Sequence, residues 1–209
     1  MKRAKKKTAE PRFERKLPDA RRQALVEATI ECLKQFGHEG LSIRRISAQA
    51  KVSIGLINHH FPNKNALVAE AYRHFNGELV GGLRQAVAQT TGSPRDQLRA
   101  FFHASFSPPN LDSDVLAVWV VFWGLYRHSK DIQRVQKETY HGYVDLLRSM
   151  LADLERESGK LRFNLRLAAI GLTSLIDGLW LEWCLDPDSF EPREAVELCE
   201  AWVERLEGK

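Results

Sequence analysis

Long apolar runs are missing from this sequence. The longest, VLAVWVVFWGLY at Val115 to Tyr126, falls short of the roughly 20 residues a bilayer demands, so no membrane partner is expected and the run reads as a buried helix. Cysteine is scarce as well. Cys32, Cys184 and Cys199 form no CxxC pair and leave one over, which argues against a disulfide framework or a zinc finger and leaves small core residues as the plain reading. Sustained period-two alternation of β-branched residues is also absent, so a sheet is not expected. The opening MKRAKKKTAEPRFERK is basic but lacks the apolar run of a secretory signal, and a cytoplasmic location is the expectation.

What is present is ordinary globular usage, 44% hydrophobic and 28% charged over 209 residues, enough chain for a sizeable core in one or two domains. The overall charge of +4 hides an asymmetry. Residues 1 to 65 carry fifteen Lys/Arg against six Asp/Glu, a net of +9, and the rest carry sixteen against twenty-one, a net of −5. A basic N-terminal third is the electrostatic footprint of a nucleic-acid binder, because neutralising phosphates releases condensed counterions. A merely solvated basic face is the alternative that charge alone leaves open.

Periodicity points to helices throughout. Leu25, Ala28, Cys32 and Phe36 are spaced three and four apart after Asp19, and Gly37 closes that helix. Ser42 is placed to cap a short second helix with Ile43, Ile46 and Ala50 on one face, and Ser53 a third that ends near Phe61, before Pro62. Asn63 caps a long fourth helix, weakened at Gly81-Gly82. Further helices fit Pro94 to Phe106, Asp112 to Arg127, Lys130 to Glu157, Leu161 to Leu185 and Pro192 to Leu206, separated by turn-rich SPPNLD and DPDSFEP. The fold class is all-α, about nine helices. A basic arm at 1–18, a three-helix DNA-binding unit at 19–66 and a helical ligand-binding and dimerisation unit at 67–209 are expected.

KVSIGLINHHFPNK, residues 51 to 64, concentrates the chemistry, and three readings compete for it. Adjacent helical positions point about 100° apart, so His59 and His60 cannot aim at one metal as His residues at i and i+4 do. A catalytic pair lacks both Ser-His-Asp order and a Gly-rich phosphate loop. Two short capped helices joined by the tight turn AQAKVS are instead the form of a helix-turn-helix, whose second helix fits the major groove. Val52, Ile57 and Phe61 then face inward, leaving Ser53, Ile54, Gly55, Leu56, Asn58, His59 and His60 as candidate DNA contacts, with Arg44, Arg45 and Lys64 for phosphates. Solvated polar positions of an ordinary αα-corner are the bland alternative.

These residues resemble the TetR family of bacterial repressors. Its pattern of Ile-Ala-x-x-Ala-Gly-Val-Ser and of aromatic-His-Phe followed by x-x-Lys-x-x-Leu appears here as ISAQAKVS and HHFPNKNAL. The resemblance covers the first third closely and the remainder by architecture. Lys51 stands at the family's turn glycine, which forces a left-handed residue at a cost of roughly 1 kcal/mol, and Asn58 and His60 replace common tyrosines. SIGLINHHFPNKNAL together with LTSLIDGLWLEW at Leu172 to Trp183 is similar to the BetI subgroup of choline-sensing repressors. The resemblance implies a double-stranded operator, a small-molecule effector and a homodimer as partners. No cofactor, metal site or catalytic residue is expected.

In the remaining two thirds, Trp119 and Trp123 share a helix face with Tyr126 beside them, and Asp177 shares one with Trp180. A carboxylate beside aromatic faces suits a cation with a greasy shell. Phe102 and Phe106 complete the candidate ligand set, although any of these rings could equally be core. For the dimer interface the candidates are Leu172, Leu175, Leu179 and Trp183 with Leu198, Trp202 and Leu206, apolar stripes suited to a four-helix bundle across a two-fold axis. Rival expectations are a regulator of another apolar or cationic ligand, such as a drug or fatty-acid derivative, a small helical enzyme using Asp177, Glu182 or His141, and a redox sensor at Cys184 or Cys199.

Overall fold

A computed structural model describes residues 16–207, and the basic arm expected before Lys16 lies outside the described residues. Nine helices and no strand occur among them. The first three are α1 (Lys16–Gly40), α2 (Ile43–Ala50) and α3 (Ile54–His60). α1 begins three residues ahead of Asp19 and runs past Gly37, whose backbone leaves helical geometry at φ 61°. Its Leu25, Cys32 and Leu33 are buried in the core that also holds Ile46 of α2 and Ile57 of α3.

The anticipated caps form. The Ser42 hydroxyl accepts from the Arg45 N–H at 3.2 Å and that of Ser53 from Leu56 at 3.3 Å, while the Asn63 amide oxygen accepts from Ala66 at 2.9 Å. Each satisfies a donor that a helix start leaves unpaired. Between α2 and α3, Lys51 sits at φ 53°, ψ 42°, the left-handed conformation that costs a β-carbon about 1 kcal/mol. Its N–H bonds the Ala48 carbonyl and that of Val52 the Ser47 carbonyl, closing the turn. Lys51→Gly should therefore raise unfolding stability by up to about 1 kcal/mol, less what the freer unfolded glycine gives back. An unchanged or lowered urea midpoint would show the turn to be unstrained.

The remaining helices are α4 (Lys64–Gln89), α5 (Pro94–Ser105), α6 (Ser113–Tyr126), α7 (Lys130–Ser158), α8 (Leu165–Leu185) and α9 (Pro192–Leu206). α4 runs unbroken through Gly81-Gly82 because Leu79 and Leu83 on its other face are buried, and packing outweighs low propensity there. The boundary anticipated at 66/67 falls inside its first turn. α4 packs on α1, α5 and α7, and α6 touches α1, α7 and α8, so two helices join the first three to the larger bundle. α8 pairs with α7 and α9.

A chain of charges ties these layers together. Arg22 of α1 donates to Glu70 of α4 at 2.7 Å, Glu70 also takes Arg73, and Arg73 reaches Glu138 of α7 at 2.8 Å. The Arg22 hydrogen bond, ahead of the nearby positive charges, holds the Glu70 carboxyl below its ordinary pKa. The Arg22 guanidinium also lies over the Phe61 ring at 4.8 Å, at the end of α3.

α8 is 21 residues long with mean hydropathy 1.3, long and apolar enough by length and composition to cross a membrane. Counting only unbroken apolar runs passes over it, because Asp177 and Glu182 interrupt the stretch. Its Ala168, Ala169, Leu172, Ile176 and Trp180 are buried in the helical core.

Candidate functional site

The short helix α3 turns two unlike faces in two directions. Ile57 and Phe61 are buried, while Ser53, Ile54, Gly55, Asn58 and His59 are exposed and Leu56 and His60 are half-buried. Ile54, a large apolar side chain at 41% exposure, is left in solvent on a helix that has an inward face to spare. A β-carbon at Gly55 would meet only the Ser53 hydroxyl, at 3.8 Å. The chain's own packing does not require glycine there, and its lack of a side chain leaves the α3 backbone open to close approach from solvent.

Around this helix stand the basic residues. Arg44 is exposed on α2. Arg45 is partly committed, donating to the Gly40 carbonyl and stacking over the Phe36 ring at 4.5 Å. The Lys64 ammonium donates to the Leu41 carbonyl at 3.3 Å, which fixes it beside the start of α4. His59 and His60 meet edge to face with centroids 5.2 Å apart. Among the described residues no group of three His, Cys, Asp or Glu side chains could hold a metal ion.

The second site lies in the larger bundle. Asp177 and Trp180 of α8, Trp119 and Trp123 of α6, and Tyr140 and Tyr143 of α7 meet around a small cavity of about 40 Å³. The Trp119 and Trp123 rings are 6.2 Å apart, and Trp180 is held by its indole N–H donating to the Ser105 carbonyl at 3.1 Å. Asn76 and Leu79 of α4 close the wall, with Asn76 donating to the Thr139 hydroxyl at 2.9 Å. Two polar features are unusual. Burial pushes the Asp177 carboxyl up to about 6, with no neighbouring cation among the described residues to offset it, and among the same residues the buried Tyr143 hydroxyl has no hydrogen-bond partner.

The pocket expected from sequence is thus only partly assembled. Tyr126 lines an outer groove of about 450 Å³ with Trp123 and Tyr140, not the inner cavity. Neither Phe102 nor Phe106 is among the residues lining the inner cavity. Both are buried, at 1% and 2% exposure, and Phe102 faces Glu200 and Val203 of α9 because α5 turns that edge toward α9. Sequence reasoning missed Asn76, Tyr140 and Tyr143. The signal for the tyrosines was their spacing of three on α7, which by itself cannot be told from a core stripe.

The expected dimer stripes also shift. Leu172 and Leu206 are 0% and 2% exposed in the chain's own core, so neither can meet a partner. Leu175, Leu179, Trp183 and Trp202 are half-buried, and Trp202 packs so closely on α8 that a β-carbon at Gly171 would come within 2.7 Å of it. The outward stripe is Leu167, Ile170, Leu181 and Leu185, with exposed Ser174 and Gly178 between them and Leu198 on α9. The thiols do not suit redox sensing. Burial raises both Cys184 and Cys199, the latter to about 12, whereas a reactive thiol needs a lowered pKa.

Comparison with known proteins adds two family matches. Residues 25–71 match the bacterial regulatory proteins of the tetR family, and residues 94–207 match the BetI-type transcriptional repressor C-terminal domain. The HTH-type transcriptional regulator BetI of Pseudomonas fluorescens is 34% identical over 185 residues, 88% of this chain and 91% of that protein. BetI 1 of Chromohalobacter salexigens is 32% identical over 88% of this chain and 89% of its own. A crystal structure from Pseudomonas aeruginosa superposes with a TM-score of 0.86 at 47% identity, covering 94% of this chain and 95% of that one. Another, from Saccharomonospora viridis in complex with choline, has a TM-score of 0.75 at 20% identity over 89% and 96% of the two chains, a likeness of fold.

Proposed function

The chain belongs to the TetR family of transcriptional repressors and carries a BetI-type C-terminal domain, and from that premise we propose how it reads DNA and what makes it let go. α3 lies in the major groove. Asn58 and His59 hydrogen-bond base edges, Ile54 and Leu56 meet thymine methyls, and Gly55 admits the backbone. Ser53, His60, Arg44, Arg45 and Lys64 set the register on phosphates, with the arm at residues 2–16 adding phosphate or minor-groove contacts. Residues 19–66 form the DNA-binding unit and residues 67–209 the effector and dimerisation unit. Two copies joined through the outward faces of α8 and α9 present two such helices about 34 to 36 Å apart, matching a palindromic operator.

The effector is an organic cation with an apolar shell, choline or a related quaternary ammonium compound. One observation carries this reading, a carboxylate set among three tryptophans and two tyrosines and without a cationic partner among the described residues. Ring faces attract such a cation and the carboxylate supplies its counter-charge. The choline bound by the S. viridis neighbour is consistent with it. An acyl chain or neutral drug would leave the Asp177 charge uncompensated.

Release follows from differential affinity for the two states of the dimer. The inner cavity and the charge chain share two helices, α4 and α7. Tyr140 follows Glu138 and the Asn76-bound Thr139 on α7, and Glu138 leads through Arg73, Glu70 and Arg22 to Phe61 at the end of α3. A ligand that moves α7 therefore bears on the recognition helix. The test is operator release against a panel of quaternary ammonium compounds, in which choline or a close relative dissociates the complex. An operator complex indifferent to every member at millimolar concentration would overturn the effector reading.

The two classes of DNA contact separate experimentally. Asn58→Ala or His59→Ala should relax preference at one operator position, at about 1 to 3 kcal/mol per lost base contact. Lys64→Ala should weaken all sequences alike and reduce the slope of log K against log salt by about 1. Equal losses on specific and random DNA for all three variants would contradict this division.

A further inference from the structure

The outer groove continues the inner cavity and differs from it in charge. The two share Trp123 and Tyr140 as lining residues. Beyond those rings the groove presents the Lys137 ammonium and the His141 imidazole, with no acidic side chain on its wall among the described residues. Its wall also includes Tyr126 and Gln136, and the Gln136 side-chain oxygen is buried with no hydrogen-bond partner among the described residues. Negative charge thus stands in the inner cavity and positive charge stands outside it, across one pair of aromatic rings.

Volume makes the continuation matter. The inner cavity, about 40 Å³, is far smaller than the adjoining groove of about 450 Å³, so a bulky cation gains room when a wall between the two moves. Trp119 and Leu79, which separate the inner cavity from a larger groove of about 670 Å³ on the α4 side, are 6% and 8% exposed and locked in the core. Trp123 is half-buried and Tyr140 is 40% exposed, so they can swing at lower cost, and their swing merges the inner cavity with the groove that carries Lys137. The larger groove carries Glu78 as its charged group, which would repel an anion.

We propose that the preferred effector is a zwitterion, a quaternary ammonium head joined by a short chain to a carboxylate or phosphate. The head sits between Asp177 and the tryptophans, and the anionic end meets Lys137 and His141 in the outer groove. This rests on the organic-cation reading of the inner cavity and adds the second half of the ligand.

The experiment titrates the full-length protein with tetramethylammonium, choline, carnitine and phosphocholine, followed by calorimetry and by quenching of tryptophan fluorescence. Wild-type protein should bind carnitine or phosphocholine at least about tenfold more tightly than choline, the worth of one charge-assisted hydrogen bond. Lys137→Gln should erase that advantage and leave choline affinity unaltered, and His141→Asn should reduce it. Both residues are exposed on α7, so unchanged thermal unfolding will show that the fold survives. Choline binding with no gain from an anionic end overturns the zwitterion and keeps the cation reading. A gain that persists in Lys137→Gln and His141→Asn overturns the placement of the anionic end. If no compound binds, the cation reading itself falls.

Discussion

Replacing Asp177 with Asn should produce a repressor that holds its operator normally and no longer releases it. The variant keeps the size and shape of the side chain and removes the one carboxylate that lines the inner cavity among the described residues. Two unit charges about 4 Å apart interact with roughly 4 kcal/mol at an effective dielectric of 20. After the cost of desolvating the ligand, a loss of about 100-fold in cation affinity is expected. Operator affinity should stay within a factor of about 2, because Asp177 lies on α8, which makes no extensive contact with α1, α2 or α3. A variant that still releases the operator at wild-type cation concentrations would remove Asp177 from the mechanism.

The same carboxylate sets a pH dependence whose direction differs from the usual acidic group. Burial raises Asp177 to about 6, above its ordinary 3.8 in an unfolded chain. Between those values the folded protein holds a proton that the unfolded chain has lost, so this group's contribution to stability falls as pH rises from about 4 through about 6. Above that window the charge is buried at a cost of at most about 3 kcal/mol, and Asn at 177 should recover part of it at neutral pH. Cation affinity runs the other way. The ligand needs the ionised form, so wild-type affinity should drop as pH falls below about 6, and Asp177→Asn should abolish that drop. Tyr140 and Tyr143, both raised by burial first and the Asp177 charge second, stay neutral throughout this range.

Why the recognition helix was legible in sequence and the cavity only half so is a matter of range. Ser42, Ser53, Asn63 and Pro62 act within three or four residues of themselves, and caps and turn residues determine local backbone before tertiary packing enters. Lys51 shows the same economy, since its left-handed conformation was implied by the turn that must join α2 to α3. The cavity has no such local grammar. Trp119 and Trp123 could be paired by their spacing, as could Asp177 and Trp180, but that α6, α7 and α8 would bring them together with Tyr140, Tyr143 and Asn76 depends on how four helices cross. Phe102 illustrates the cost. It lies on an apolar helix face indistinguishable by periodicity from a pocket wall, and that face meets α9. Leu172 was assigned to a partner's surface for a related reason. α8 is apolar on nearly all sides, so its sequence does not say which stripe its own chain covers.

That stripe decides the largest expected effect. Leu181→Arg should convert a dimer into a monomer and lower operator affinity by about 100- to 10,000-fold, the range lost when two linked contacts become one. Leu181 is 41% exposed in the single chain, so an arginine there reaches solvent and the protomer keeps its fold. In the dimer the same arginine would lie with Gly178 and Leu185 at the centre of an apolar four-helix contact, where a charge without a partner is costly. Leu172→Arg is the informative contrast. Leu172 is fully enclosed by its own chain, and burying a charge there should unfold the protomer instead of separating two folded ones. Light scattering and circular dichroism distinguish the two outcomes, with Leu181→Arg retaining wild-type helicity at half the mass. A dimer that survives Leu181→Arg with its operator affinity intact would place the two-fold axis on another face, and the spacing of the recognition helices would then need a different explanation.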